Sequence, residues 1–397
     1  VDKNIMPMIQ PAKRVREVQE YYFSRKLKEV SRLNAEGKDI ISLAIGSPDM
    51  PPSKLTVDKL CEVARQPSAH GYQPTMGTCE LREAMAGFYK RWYGVDINPQ
   101  TEVQPLIGSK EGILHITLAF VNPGEQVLVP NPGYPTYTSL SRILGAEVIS
   151  YDLLENNGWQ PDFEALERMD LSRVRLMWTN YPNMPTGGNA QRQTYERLVH
   201  FAHQHNIIVV NDNPYSFILN EGEKLSIMQV PGAKDCCIEF NSMSKAYNMP
   251  GWRVGMCVSN ATFISWILKI KSNIDSGTFQ GMQLAAAEAL KMNTDEWHRR
   301  YNIEVYRYRR TIAEDIMKLL GCSFDHNQVG MFLWGKIPEV YSDAEELTER
   351  ILHKARVFIT PGFIFGSNGT RYIRISLCAK DENGRSARSY SHFINKN

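Results

Sequence analysis

Residues 241–255 carry the side chains best suited to chemistry. Ser242, Ser244 and Lys245 follow the apolar run 237–240, and Arg253 comes just before a second apolar run. Hydroxyls near an arginine suit a phosphate dianion, because the guanidinium binds phosphate oxygens through charge-assisted hydrogen bonds. A lysine beside that phosphate can form a Schiff base with an aldehyde cofactor that carries it. A surface lysine in a polar turn is the alternative, but the flanking apolar runs and the position of Arg253 favour a lysine that binds a cofactor.

A carboxylate at the end of a second apolar run is the next signal. Residues 207–210 are all apolar, Asp212 follows them, and Tyr215 lies three residues further on. Burying a carboxylate there is costly unless it meets a cation, such as a protonated pyridine nitrogen. The anion would keep such a ring protonated, so that the ring can draw electrons from a carbanion. A helix cap or a turn is the other role open to Asp212.

A third candidate is the small-residue turn at Gly108 and Ser109, ahead of a helix predicted over 113–120. Free N–H groups at a helix start form an anion site, and small residues let a phosphate come close. Ordinary helix caps have similar residues, so this motif indicates an anion site mainly because the chain also contains the Lys245 segment. Lys110 is expected to be a solvated first-turn residue rather than a catalytic base.

The elements that must position these residues alternate between strand and helix. This pattern predicts an α/β fold with helices on both faces of a mainly parallel sheet, and with the ligand-bearing loops at the strand ends. We expect a large domain over 46–290. A smaller α+β domain is expected from 1–45 and 291–397, with strands at 357–360 and 372–377. A capping box over 342–345 is predicted to start a helix that runs to about residue 354.

Composition narrows the classes of function. Lysine and arginine total 45 against 43 acidic residues, a net charge of +2, so no charge-driven nucleic-acid or membrane partner is expected. The 7 scattered cysteines match neither a disulfide framework nor a metal site, which predicts a reducing compartment and no metal. The polar start and the lack of a long apolar run predict a soluble cytoplasmic protein without a signal peptide.

Segment 241–255 resembles the lysine segment of the class I/II aminotransferases, pyridoxal-phosphate enzymes of fold type I. The resemblance covers nearly the whole chain and is most specific at 212–215, at 242–255 and at Arg374. Within the class, segments 106–112, 131–135 and 271–277 look closest to LL-diaminopimelate and aspartate/alanine-type aminotransferases. The resemblance implies that Lys245 is the Schiff-base lysine and that Ser242, Ser244 and Arg253 belong to the phosphate cup.

The same resemblance implies further roles. The Gly46 N–H would bind the substrate carboxylate, and Tyr134 would stack on the pyridine ring. Tyr215 would reach the phenolic oxygen, while Tyr72 would reach the phosphate of the neighbouring subunit in a symmetric homodimer. Arg374, which alternates with apolar residues on a strand, would grip the substrate α-carboxylate as a bidentate pair; a core ion pair is the alternative.

Met184 departs from the family pattern. In relatives an asparagine stands immediately before Pro-Thr-Gly, and its side-chain amide donates to the phenolic oxygen of the cofactor. Methionine has no side-chain N–H to donate. Asn183 is adjacent but is expected to point elsewhere. An arginine that some dicarboxylate-specific relatives place in about 274–279 is also absent here, which argues mildly against that way of binding aspartate.

The implied activity is transfer of an amino group between an L-amino acid and a 2-oxo acid through the Lys245 Schiff base. The freed lysine amine would remove the α-proton and return it to the cofactor. Alternatives are another pyridoxal-phosphate reaction such as β-elimination or a Claisen-type condensation, a regulatory protein on the same fold, or a catalytically dead relative. The regulatory alternative would need a DNA-binding extension, and no basic segment of domain size is left for one.

Overall fold

The computed structural model describes residues 10–17 and 22–378. Its strands are β1 (Ile41–Ser42), β2 (Val103–Leu106), β3 (Gln126–Asn131), β4 (Glu147–Asp152), β5 (Val174–Thr179), β6 (Ile208–Asp212), β7 (Cys237–Ser242), β8 (Gly255–Val258), β9 (Phe332–Lys336), β10 (Val357–Phe358), β11 (Thr360–Pro361) and β12 (Tyr372–Ser376).

The helices of the described residues are α1 (Lys13–Glu17), α2 (Tyr22–Ala35), α3 (Lys54–Ala64), α4 (Cys79–Tyr93), α5 (Ser109–Phe120), α6 (Pro135–Ile143), α7 (Phe163–Glu167), α8 (Arg192–His205), α9 (Ala233–Cys236), α10 (Met243–Ala246), α11 (Ala261–Lys271), α12 (Gln280–Met292), α13 (Asp295–His298), α14 (Val305–Leu319) and α15 (Ala344–Ala355). A π-helical turn over Arg299–Glu304 joins α13 to α14. None of these helices is long and apolar enough to cross a membrane.

A seven-stranded sheet of order β2-β8-β7-β6-β5-β3-β4 forms the centre of the chain. Its pairs from β4 across to β7 are parallel, and β8 is antiparallel to both of its neighbours. The inner strands are apolar on both sides because both faces are covered. Val127 and Val129 pack with α5, α6 and α11, whereas Leu128 and Val209 pack with α8 on the other face. The predicted α/β fold with helices on both faces is confirmed.

Smaller sheets lie towards the carboxyl end. Strands β11, β12 and β9 form an antiparallel sheet, and β1 pairs in parallel with β10. Residues before position 46 therefore join elements after position 290 in one part of the molecule. The domain boundaries at 46 and 290 stay a prediction.

The start of α15 corrects one detail of the sequence analysis. The cap is Asp343, whose carboxylate accepts the Glu346 N–H at 2.9 Å, and Glu346 reaches back to the N–H and hydroxyl of Ser342. The pattern 342–345 pointed to the correct turn but to a cap one residue too early. Any of Ser, Thr, Asp or Asn can accept that N–H, so consecutive cap-formers leave the cap position ambiguous.

Candidate active site

The carboxyl ends of β6 and β7 place Asp212 and Ser242 at one edge of the central sheet, because adjacent parallel strands end on the same side. The short helix α10 then carries Lys245 over that edge, and α5 starts beside it. Together with the small antiparallel sheet they enclose a cavity of about 460 Å³. The predicted site residues among its lining are Gly46, Ser109, Lys110, Tyr134, Asp212, Tyr215, Ser242, Ser244, Lys245, Arg253 and Arg374.

Lys245 projects into this cavity with its amine held in place. The Nζ atom donates to the Gly46 carbonyl at 2.5 Å. Burial lowers the pKa of the Lys245 amine, and the positive charges of Arg374 and Arg253 also lower it, against opposing effects of Cys378 and Asp212. A lowered pKa favours the neutral amine, which is the nucleophilic form.

Asp212 is buried beneath the cavity. Its Oδ2 accepts a hydrogen bond from the Tyr137 hydroxyl at 2.8 Å, whereas its buried Oδ1 has no hydrogen-bond partner among the described residues. Burial raises the pKa of Asp212 to about 6, against the lowering effects of the Tyr137 hydrogen bond and the Lys245 charge. The carboxylate is therefore poised to pair with a cation that enters the cavity.

The turn before α5 is shaped by its glycine. Gly108 has φ of 74°, in the left-handed region that favours glycine, and a Cβ at this position would lie 2.7 Å from the guanidinium carbon of Arg253. Gly255 is also tightly packed, since a Cβ there would lie 2.9 Å from the Ser109 nitrogen. The Ser242 hydroxyl accepts the Ser244 N–H at 3.2 Å. Hydroxyls, helix-start N–H groups and a guanidinium thus converge on one small space, as an anion site requires.

Arg374 lies on β12 with its guanidinium between aromatic rings. The guanidinium carbon is 3.9 Å from the Phe332 ring centroid and 4.6 Å from that of Phe365. One Nη donates to the Ala44 carbonyl at 2.8 Å, and the other lies 3.2 Å from the Met184 sulfur. These contacts orient a buried cation before any ligand arrives, which reduces the cost of binding a carboxylate.

Two asparagines near Met184 have side-chain amides, but both amides are engaged in other hydrogen bonds. Asn183 turns into its own loop, where its Oδ1 accepts the Thr186 hydroxyl at 2.7 Å and its Nδ2 donates to the Asn180 carbonyl at 3.2 Å. Asn180 lines the cavity, but its Nδ2 donates to the Asp212 carbonyl and its Oδ1 accepts the Met184 N–H. The expectation that Asn183 points elsewhere agrees with this geometry.

Tyr72 is the predicted site residue that the fold keeps apart from the others. Its side chain is 94 % exposed, and it is not among the residues that line the cavity. Lys110 does line the cavity, but its side chain is exposed, as expected for a first-turn residue. Tyr134 and Tyr215 are largely buried in the wall, and burial raises the pKa of both phenols.

Several cavity residues were missed by sequence reasoning. Tyr137 follows Tyr134 on α6, and Asn180 comes directly after β5, so the rule that ligands gather at strand ends could have found Asn180. The apolar part of the wall carried no local signal, because phenylalanine and leucine in a sequence indicate burial rather than a site. It includes Phe23, Leu27, Ala44, Ile45, Phe332 and Phe365.

The family model described as aminotransferase class I and II matches residues 38–388. The chain belongs to the class I and II aminotransferases. This aminotransferase is 42% identical over 372 residues to an LL-diaminopimelate aminotransferase of Dehalococcoides mccartyi, a match that covers 94% of this chain and 95% of the relative. An LL-diaminopimelate aminotransferase of Moorella thermoacetica is also 42% identical, over 378 residues, with the same coverage.

Solved structures agree with this assignment. BacF of Bacillus subtilis in its apo form superposes with a TM-score of 0.91 at 35% identity, covering 98% of each chain. An aspartate aminotransferase of Thermus thermophilus superposes with a TM-score of 0.89 at 25% identity, covering 98% of this chain and all of that one. The activity of this aminotransferase is therefore the transfer of an amino group, and the family implies a pyridoxal-phosphate cofactor.

The residues of the aminotransferase fit that cofactor. The unpartnered, buried Oδ1 of Asp212 suits a protonated ring nitrogen, and the lack of a Cβ at Gly108 lets the Arg253 guanidinium pack against the turn that leads into α5. The amine of Lys245 lies in the same cavity as both.

Proposed function

We propose that Lys245 carries pyridoxal phosphate and that the surrounding residues hold it for transamination of an L-amino acid with a 2-oxo acid. Ser109, Ser242, Ser244 and Arg253 would hold the phosphate, with the first turn at Lys110 supplying backbone N–H groups. Asp212 would hold the ring nitrogen. The observation that carries the proposal is that an unpartnered buried carboxylate oxygen, a lysine amine of lowered pKa and an oriented arginine share one cavity.

The remaining residues would act on ring and substrate. Tyr134 would lie against the ring face, and Tyr215 would donate to the phenolic oxygen. The cofactor, when bound, supplies the aldehyde that accepts the amino group and a ring that withdraws electrons from the α-carbon. Arg374 would bind the α-carboxylate, assisted by the Gly46 N–H, and Lys245 Nζ would move the proton from the α-carbon.

The test is direct. Borohydride reduction of the loaded enzyme followed by peptide mapping should label Lys245, and Lys245→Ala should abolish the half-reaction with amino acids while still binding the cofactor non-covalently. Lys269→Ala, on an exposed position of α11, is the matched control and should react as wild type. Labelling of another lysine would refute the assignment.

LL-diaminopimelate is the first amino donor we propose, because both LL-diaminopimelate aminotransferases described above, at 42% identity, are named for it. Apolar amino acids are the second candidate. Asp212 is the only acid among the described lining residues, so a distal ammonium would find no other carboxylate within one subunit, and Leu27 and Ile45 are exposed along the wall.

A half-reaction panel separates the two. LL-diaminopimelate, L-leucine, L-phenylalanine and L-aspartate would each be mixed with the loaded enzyme, and the loss of the visible cofactor band would be followed. Fastest reaction with LL-diaminopimelate supports the first candidate, and fastest reaction with leucine or phenylalanine supports the second.

We also propose a homodimer in which Tyr72 reaches the phosphate site of the neighbouring subunit. The support is that Tyr72 is 94 % exposed and touches no part of its own cavity. Tyr72→Phe should weaken cofactor binding in a dimer, and a fully active monomer in sedimentation would contradict this arrangement. A cytoplasmic location stays a prediction from cysteine usage.

A further inference from the structure

A buried ion cluster lies behind the proposed phosphate site. Lys271, the last residue of α11, is 2 % exposed, and its Nζ lies 2.7 Å from Glu111 Oε1 and 2.5 Å from Asp275 Oδ2. Glu111 Oε1 also contacts His115 Nε2 at 2.8 Å. Burial alone would raise the pKa of Glu111, but hydrogen bonds from His115 and Lys271 outweigh it and hold that pKa at about 2. Glu111 is therefore a carboxylate in the folded protein.

The arrangement excludes a metal ion at this place. Glu111, His115 and Asp275 are close enough to ligate a cation together. The ammonium of Lys271, however, already lies against both carboxylates, so the positive charge that a metal would supply is present as a side chain.

Each carboxylate uses its second oxygen to hold a backbone N–H of a loop at the site. Glu111 Oε2 accepts the Ile107 N–H at 2.5 Å, which fixes the turn leading into Gly108. Asp275 Oδ1 accepts the Gly277 N–H at 2.9 Å. Gly277 has φ of 82°, and a Cβ there would overlap the carbonyl of Gln73, next to Tyr72. Through the two carboxylates, Lys271 thus connects the turn at Gly108 to Gly277, which packs against the segment that carries the exposed Tyr72.

Arg253 lies beside this ion cluster. Lys271 and Arg253 line a common small cavity between the two loops, and the Arg253 guanidinium packs against Gly108. A shift of the Ile107–Gly108 turn would therefore also displace the arginine that faces the phosphate site, because their atoms are in contact.

We propose that Lys271 is a positioning residue for the phosphate cup: it neutralises Glu111 and Asp275, so that these carboxylates can hold the Ile107 and Gly277 amides and thereby fix the turn into Gly108 and the loop beside it. This rests on the proposed function, because the phosphate site is part of it. Without the ammonium the two partly buried carboxylates would repel each other, and movement of the loops that they hold would relieve that repulsion.

The test compares two ligands that differ only in the phosphate. Cofactor-free wild type, Lys271→Met and Lys271→Arg are titrated with pyridoxal phosphate and with pyridoxal, and binding is followed by visible absorbance. Lys271→Met should bind pyridoxal phosphate about tenfold more weakly and pyridoxal nearly as wild type does, as expected when an orienting group behind a ligand contact is lost. Lys271→Arg should recover most of the difference, and Lys269→Met, exposed on the same helix, should show none.

A second variant keeps the test decisive if Lys271→Met does not fold. Glu111→Gln, at a partly exposed position, loses one of the two acceptor oxygens and should show the same selective loss for pyridoxal phosphate. Equal losses for both ligands in either variant would overturn the inference and leave Lys271 a stability residue. Failure of the proposed function is seen separately, as failure of wild type to bind pyridoxal phosphate at Lys245.

Discussion

The sulfur of Met184 lies 3.2 Å from Nη1 of Arg374, on the wall of the cavity that contains Lys245. A thioether accepts only a weak hydrogen bond and donates none. At the position where the family resemblance implies an asparagine amide that donates to the cofactor oxygen, this chain has a side chain that contacts the arginine and has no N–H to donate. The consequence is testable in the spectrum of the loaded enzyme.

Met184→Asn is expected to lower the pH at which the visible band of the Lys245-bound cofactor titrates. An amide N–H near the phenolic oxygen stabilises its negative charge and reduces its demand for the proton shared with the lysine nitrogen, which lowers the pKa. A pH titration of the band measures it, with Met184→Leu as the control that keeps an apolar side chain. An unchanged or higher pKa in Met184→Asn would mean that Met184 only packs.

Arg374→Ala is expected to weaken binding of every amino acid by about a hundredfold, because a preoriented, charge-assisted pair to the α-carboxylate is lost. An amine without a carboxylate should lose little. Arg371→Ala is the matched control: it lies near the start of the same strand, and its guanidinium donates to backbone carbonyls such as that of Ser342 at 2.9 Å rather than to the cavity. Similar losses for amino acids and simple amines would make Arg374 structural.

Asp212→Asn should stabilise the cofactor-free protein at neutral pH. The ordinary pKa of 3.8 rises to about 6 on folding, so the folded state binds more protons between those values and stability falls as pH rises through them. Asparagine does not ionise, so the variant should be more stable than wild type by about 2 to 3 kcal/mol above about pH 7.

The same comparison contains its own control, because the stability difference should vanish below about pH 3, where both states of wild type hold the proton. Urea unfolding at several pH values measures it. In the loaded enzyme the same variant should slow the half-reaction by orders of magnitude, since the charge opposite the ring nitrogen is gone. A stability difference that does not change with pH would show that the Asp212 carboxylate is not strained in the empty site.

Tyr137→Phe should slow the half-reaction by about tenfold, because it removes a hydrogen bond of 2.8 Å that favours the ionised form of Asp212. Tyr151→Phe is a matched control, as that buried hydroxyl donates at 2.8 Å to the Trp178 carbonyl and not to a carboxylate. Both variants lose one buried hydrogen bond, so their stabilities should fall alike. A normal half-reaction rate in Tyr137→Phe would contradict a role for Tyr137 in keeping the Asp212 carboxyl ionised.

The sequence by itself indicated the α/β class, many of the strands and the polar residues that follow two of the inner strands, although it carried no prediction for β4 or β9. Runs such as 207–210 and 237–240 are apolar because both faces of the inner strands are covered, and a polar residue that ends such a run stands out. That is why Asp212, Ser242 and Lys245 could be named before the fold, whereas the roles of Tyr72 and Arg374 depended on resemblance to a family.

Only the tertiary structure decided which side chains meet. Tyr137 and Asp212 are 75 residues apart, Met184 and Arg374 are 190 apart, and Lys271 and Glu111 are 160 apart, so no local pattern connects them. Tyr137 on α6 meets Asp212 at the end of β6, whereas Arg374 reaches Met184 from within β12 of the small antiparallel sheet. The apolar wall around Arg374 was equally hidden, because a phenylalanine that packs a core and one that flanks a guanidinium look the same in a sequence until packing brings the charge to the ring.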